Sequence, residues 1–123
     1  RWETYGPDRP KLIVVEPDKA ACLFESAKAG TVTTVGGNLD TVMAGLACGE
    51  PSILAWDLLH VGADAFMTVA DDAAVSAMRL LAERGVVGGE SGVAGLAGFL
   101  AAATDPAMRA ALGLDETSRI LLY

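Results

Sequence analysis

The sequence predicts an α/β domain of three layers, a mainly parallel sheet flanked by helices. Two short apolar runs, Lys11-Leu12-Ile13-Val14-Val15 and Asp64-Ala65-Phe66-Met67-Thr68-Val69, read as strands. The first is β-branched and lacks polar alternation, as a strand covered on both faces does. Segments with helical spacing lie between and after these runs, the order expected of a parallel sheet with crossovers. Of 123 residues, 52% are hydrophobic, enough to give a single domain, residues 1–123, a buried core.

Each element follows from local chemistry. Arg1 to Tyr5 reads as the last turn of a helix stopped at Gly6-Pro7, and Gly6 to Pro10 as a turn. Glu16-Pro17 ends the first strand. Asp18 is expected to cap a helix over 19–29, stopped at Gly30. Residues 31–37 fit either strand or loop. Pro51 suits the first turn of a helix over 52–60 that buries Leu54, Trp56, Leu58 and Leu59. Asp71 or Thr68 can cap the next helix, with Val75, Met78, Leu81 and Ala82 on one face and Gly85 as its stop. The helix from Val93 to Ala102 is too small-sided for the surface and is expected to pack closely inside. Asp105 and Pro106 open a helix over 105–112, and Arg119 to Tyr123 reads as a last strand. The two ends resemble interior segments, so the sequence is expected to be a piece of a longer polypeptide.

Composition removes several functions. The net charge is −7, which opposes a nucleic-acid partner, since phosphate binding needs a basic patch. No apolar run approaches the roughly 20 residues of a membrane span. Cys22 and Cys48 form no disulfide framework and read as buried thiols of a cytoplasmic protein. No second cysteine or histidine stands at zinc-ligand spacing. His60 ends an apolar helix, where the dipole explains it. Lys11, Lys19 and Lys28 lack the desolvated context that would lower a lysine's pKa for Schiff-base chemistry. Two glycine-containing stretches stand out, Asp40 to Ser52 and Gly88-Gly89-Glu90-Ser91-Gly92. Glycines at loop-to-helix junctions let the backbone approach an anion or a flat ring, and tight helix packing uses the same residues. Neither stretch is a dinucleotide fingerprint or a P-loop.

The motifs then fall into a recognisable order. Val14-Val15-Glu16-Pro17 is followed by Ala44-Gly45-Leu46-Ala47-Cys48-Gly49-Glu50-Pro51-Ser52 with Ala55-Trp56, then Asp64-Ala65-Phe66, Val69-Ala70-Asp71, Gly89-Glu90-Ser91-Gly92-Val93-Ala94-Gly95 and Ile120-Leu121-Leu122. This series resembles the C-terminal part of the fold-type II pyridoxal-phosphate enzymes, the tryptophan synthase β superfamily. The run from Ala44 to Ser52 is most similar to the diaminopropionate ammonia-lyases. The resemblance implies a fragment of the larger domain of a pyridoxal-phosphate lyase that deaminates 2,3-diaminopropionate to pyruvate and ammonia. It implies a small amino-acid substrate and a cytoplasmic homodimer. It also implies that the Schiff-base lysine and the phosphate loop lie outside this chain, leaving no catalytic residue here and the chain alone inactive. Thr41, Ala44, Gly45 and Glu90 match positions near the cofactor in that family. Glu90 would also open a helix, where a cap is the alternative role. In the racemase and threonine dehydratase branch a metal follows the Glu-Pro motif. Here Glu16, Ala20 and Cys22 fill the matching positions, and a thiol spoils a hard-cation cage, so no metal is expected. Other readings are a threonine or serine ammonia-lyase, a threonine synthase, or a non-enzymatic half-domain.

Overall fold

The computed structural model describes residues 2–123, with side chains described from Thr4 onward. Helix α1 (Trp2–Tyr5) runs into a 3-10 turn at Gly6–Asp8, as expected, and Arg1 lies outside the described residues. Strand β1 (Ile13–Pro17) pairs in parallel with β2 (Ala65–Val69), with Val14 opposite Phe66 and Val15 opposite Met67. The first strand therefore continues through Glu16-Pro17 instead of ending before it. Helices α2 (Cys22–Ala29) and α3 (Ile53–Gly62) belong to the crossover between the strands. Helices α4 (Asp71–Glu83), α5 (Ala94–Thr104) and α6 (Pro106–Leu112) follow β2.

Strand alternation sorts these helices into layers. Val15 and Met67 share one face, and α5 lies on it. A Cβ on Gly98 would stand 2.7 and 2.9 Å from the Val15 methyls and 3.3 Å from the Met67 sulfur. The absence of a side chain at Gly98 lets helix and sheet approach this closely. The core on this face joins Val69 to Ala74 and Ala77 of α4, to Ala94 and Ala97 of α5, and to Met43 and Val93 from the loops. Val14 and Glu16 point the other way, towards α2, and Phe66 meets the Trp56 ring of α3 at 6.5 Å. Three layers result, as the sequence predicts, and the small-sided α5 is buried along Ala94, Ala97, Gly98 and Ala102.

Several local expectations fail for physical reasons. Asp18 does not cap α2. The N-cap is Ala21, and Glu16 reaches from the strand end to accept the Leu23 and Phe24 N–H groups at 3.0 and 2.7 Å. Neither Asp71 nor Thr68 caps α4, whose N-cap is Ala70. The buried line of α4 is centred on Ala74 and Ala77 with Met78 and Leu81 beside it, and Ala82 is exposed. In α3, Trp56 is buried, but Leu54 and Leu58 are 78% and 73% exposed, so its apolar face is largely uncovered. Residues 31–37 are loop. Residues 119–123 form no strand and are exposed; the described sheet has two strands, and no neighbour pairs their backbone. Asp105 does cap α6, accepting the Ala107 and Met108 N–H groups. No helix among the described residues is long and apolar enough to cross a membrane.

Candidate cofactor wall

Ligands of parallel α/β sheets bind beyond the carboxyl ends of the strands. Here that edge is formed by the turn after β1, the start of α4 after β2, and two loops that fold over them. The first loop carries Thr41, Ala44 and Gly45, and the second carries Glu90. The structure joins the two loops through Ser91 and ties the first of them to Asp71, links the sequence did not indicate. Gly45 N–H donates to the Ser91 hydroxyl at 2.9 Å. A Cβ on Gly45 would lie 2.9 Å from that oxygen, so any side chain here would push the Ser91 hydroxyl out of its place. Ala44 and Gly45 sit in a 3-10 turn, Ala44–Leu46, exposed on its outer side.

Thr41 is buried at 8% exposure, with its hydroxyl turned inward to donate to Asp71 Oδ1. Val42 N–H donates to the same oxygen at 3.2 Å, and Lys19 Nζ donates to Asp71 Oδ2 at 2.7 Å. These contacts hold the Asp71 carboxyl below its ordinary value, the Lys19 hydrogen bond first and the Thr41 hydrogen bond next. A cavity of about 410 Å³ lined by Lys19, Asn38, Leu39 and Asp40 adjoins this network. Glu90 is exposed in the turn before α5, next to Ser91. It does not cap the helix, because the N-cap is Val93 and receives no side-chain bond.

Other candidates separate from this edge. His60 Nδ1 lies 2.8 Å from the Trp56 carbonyl, and its ring stacks on the Trp56 ring at 5.4 Å. Cys22 is buried, its thiol 3.7 Å from Glu16 Oε1 and pushed up to about 11 by burial first and the Glu16 charge second. Cys48 is exposed, contrary to expectation, because its loop lies on the surface. All three lysines are exposed and engaged: Lys11 with the Leu112 carbonyl at 2.7 Å, Lys19 with Asp71, and Lys28 with Glu25 at 3.0 Å.

The sequence model of the family described as pyridoxal-phosphate dependent enzyme matches residues 2–122. The chain belongs to this family. Among its relatives, the diaminopropionate ammonia-lyase of Escherichia coli K12 is 43% identical over 105 residues, 81% of this chain and 26% of that enzyme. The Salmonella typhimurium LT2 enzyme is 39% identical over 95 residues, 71% of this chain and 24% of that enzyme. The chain thus spans about a quarter of the length of these relatives. A holo structure of the E. coli lyase superposes with a TM-score of 0.78 at 34% identity, covering 93% of this chain and 30% of that one. A threonine deaminase from T.th. gives 0.75 at 24% identity, over 85% and 39%, and shares the fold. The fold is that of the fold-type II enzymes, and the family's cofactor is pyridoxal phosphate. The residues present fit one wall of such a site: a side-chain-free ledge at Gly45 locked to Ser91, with Glu90 beside it.

Asp71 and Ser91 are the residues that sequence reasoning missed. Asp71 drew a helix-cap reading because it opens α4. Its place directly after the carboxyl end of a strand was the available signal. Nothing local marks Ser91 as a partner of Gly45.

Proposed function

We propose that the full-length protein is a pyridoxal-phosphate-dependent ammonia-lyase that converts 2,3-diaminopropionate to pyruvate and ammonia. The observation that carries this reading is the 43% identity to the E. coli diaminopropionate ammonia-lyase over 105 residues. That enzyme has also been crystallised in complex with D-serine, so a small amino acid is the substrate class we assign. We further assign the protein to the cytoplasm as a homodimer that binds neither membrane nor nucleic acid.

Within that enzyme this chain contributes a wall of the cofactor site through Thr41, Ala44, Gly45 and Glu90. The cofactor, when bound, supplies the electron sink for loss of the α-proton. The chain's own residues orient and exclude. Gly45 offers backbone where a side chain would obstruct, and Ser91 fixes that backbone by accepting its N–H. Glu90, exposed in the same loop as Ser91, would present a carboxylate to the cofactor ring and bias its protonation. Lys11, Lys19 and Lys28 stay outside the chemistry.

The test is kinetic and spectroscopic on the full-length enzyme. Pyruvate should be released from 2,3-diaminopropionate far faster than 2-oxobutyrate from threonine. Glu90→Gln should cut turnover several-fold and shift the cofactor absorbance, with stability changed by about 0.5 kcal/mol or less, as for a surface substitution. A preference for threonine would overturn the substrate assignment. Wild-type turnover with an unshifted spectrum in Glu90→Gln would remove Glu90 from the wall.

A further inference from the structure

Resting on that reading of the site, we propose that Asp71 is a positioning residue, clasping the 41–43 backbone so that the Ala44–Leu46 turn keeps its place in the cofactor wall. Asp71 stands at the first residue of α4, yet its side chain makes no capping hydrogen bond to that helix. It reaches across 30 residues of sequence to the loop. Oδ1 accepts both the Thr41 hydroxyl and the Val42 N–H, and Oδ2 accepts Lys19 Nζ from the turn after β1. Thr41 Oγ1 in turn accepts the Met43 N–H at 3.2 Å, and Met43 is fully buried in the core. Three consecutive residues are thus tied to one carboxylate, directly or through one hydroxyl.

The segment needs such a tie. Residues 31–43 contain no helix or strand, so no ladder of backbone hydrogen bonds holds them. Leu39, just upstream, has φ of 40°, in the left-handed region that a leucine occupies only when its surroundings enforce it. Immediately downstream, Gly45 makes its contact with Ser91. Freeing 41–43 would therefore release the turn from its upstream side. Misplacement of about 1 Å in a positioning element can cost on the order of a hundredfold in rate.

Hydrogen exchange of the full-length enzyme tests this with and without pyridoxal phosphate, alongside kcat, KM and the cofactor absorbance. In Asp71→Ala, exchange at Val42 and Met43 should rise about tenfold even without cofactor, as expected for a lost local closure. The loaded variant should lose at least about tenfold in kcat and shift its absorbance, KM moving much less. Thr41→Val removes only the hydroxyl and covers the case in which Asp71→Ala fails to fold; it should raise exchange at Met43, and Thr41→Ser should restore most of the protection. Unchanged exchange in both Asp71→Ala and Thr41→Val overturns the clasp. Raised exchange with an unaltered spectrum and kcat overturns its positioning role. An enzyme inert towards 2,3-diaminopropionate would sink the substrate reading instead, while exchange and absorbance still decide the clasp.

Discussion

Each end of the β1–β2 pair depends on an aspartate, and the two do different work. Asp64, just before β2, accepts a two-pronged bond from Arg9 at 2.6 and 2.7 Å and the Leu12 N–H at 2.7 Å. Nearby, Lys11 closes on the Leu112 carbonyl at the end of α6. All of these partners lead directly into regular elements. Asp71, just after β2, gathers partners from a turn and from an irregular loop. A planar two-pronged bond to an arginine at the amino end fixes where β1 starts. The same carboxylate chemistry at the carboxyl end fixes a loop over the edge where ligands of this fold class bind. One end is thus built for stability and the other for position, and substitutions should separate the two.

The largest effect is expected at the carboxyl end. In the full-length enzyme Gly45→Val places a Cβ 2.9 Å from Ser91 Oγ and 3.3 Å from its Cβ, so the Ser91 hydroxyl must turn away and the bond between the two loops is lost. Turnover should fall on the order of a hundredfold. The stability loss should be about 1–3 kcal/mol, the usual cost of overpacking. Steady-state kinetics beside thermal unfolding would check both, and near-normal turnover would break the comparison.

The amino end should give the converse. Asp64→Ala leaves the Leu12 N–H and the Arg9 guanidinium without this acceptor. It should lower the temperature of thermal unfolding measurably, since water only partly replaces a two-pronged charged acceptor. Turnover of the folded enzyme should stay within about twofold of the parent, the scale of a change remote from the transition state. A large fall in kcat at full folding would show that the two ends are not separate.

The smallest effect is the response to acid. The Asp71 carboxyl is held below its ordinary 3.8 in the folded chain, chiefly by Lys19 and then by Thr41. Its charged form therefore contributes fully above that value, and the contribution is lost as pH falls through the folded pKa. Protection of the Val42 amide should hold from neutrality down to about pH 5 and decline only below about pH 4. Loss near pH 6 would assign the clasp to another group.

What could be read from the sequence follows the range of each interaction. The Lys11–Val15 and Asp64–Val69 runs predicted β1 and β2 to within two residues because β-branched apolar runs favour strands wherever they fall. The stop at Gly30 and the Asp105 cap were legible because partner and target are neighbours. The buried, small-sided α5 was legible from its composition. Of the proposed cofactor wall, the two glycine-bearing loops were visible, and their joining through Gly45 and Ser91 was not, since 46 residues separate them.

The sequence by itself thus determined β1 and β2, the helix stops, the α6 cap and the family resemblance. These depend on local propensity or on motif order. Tertiary structure alone decided that Leu54 and Leu58 stay exposed, because α3 meets the sheet mainly through Trp56. It also decided that Glu16, not Asp18, caps α2, and that residues 119–123 form no strand among the described residues. Above all it decided the role of Asp71, whose partners Thr41 and Lys19 lie 30 and 52 residues away. A carboxylate at the start of a helix is chemically suited to cap it. Only the return of a distant loop supplies better donors, and that return is a property of the fold, not of the neighbouring residues.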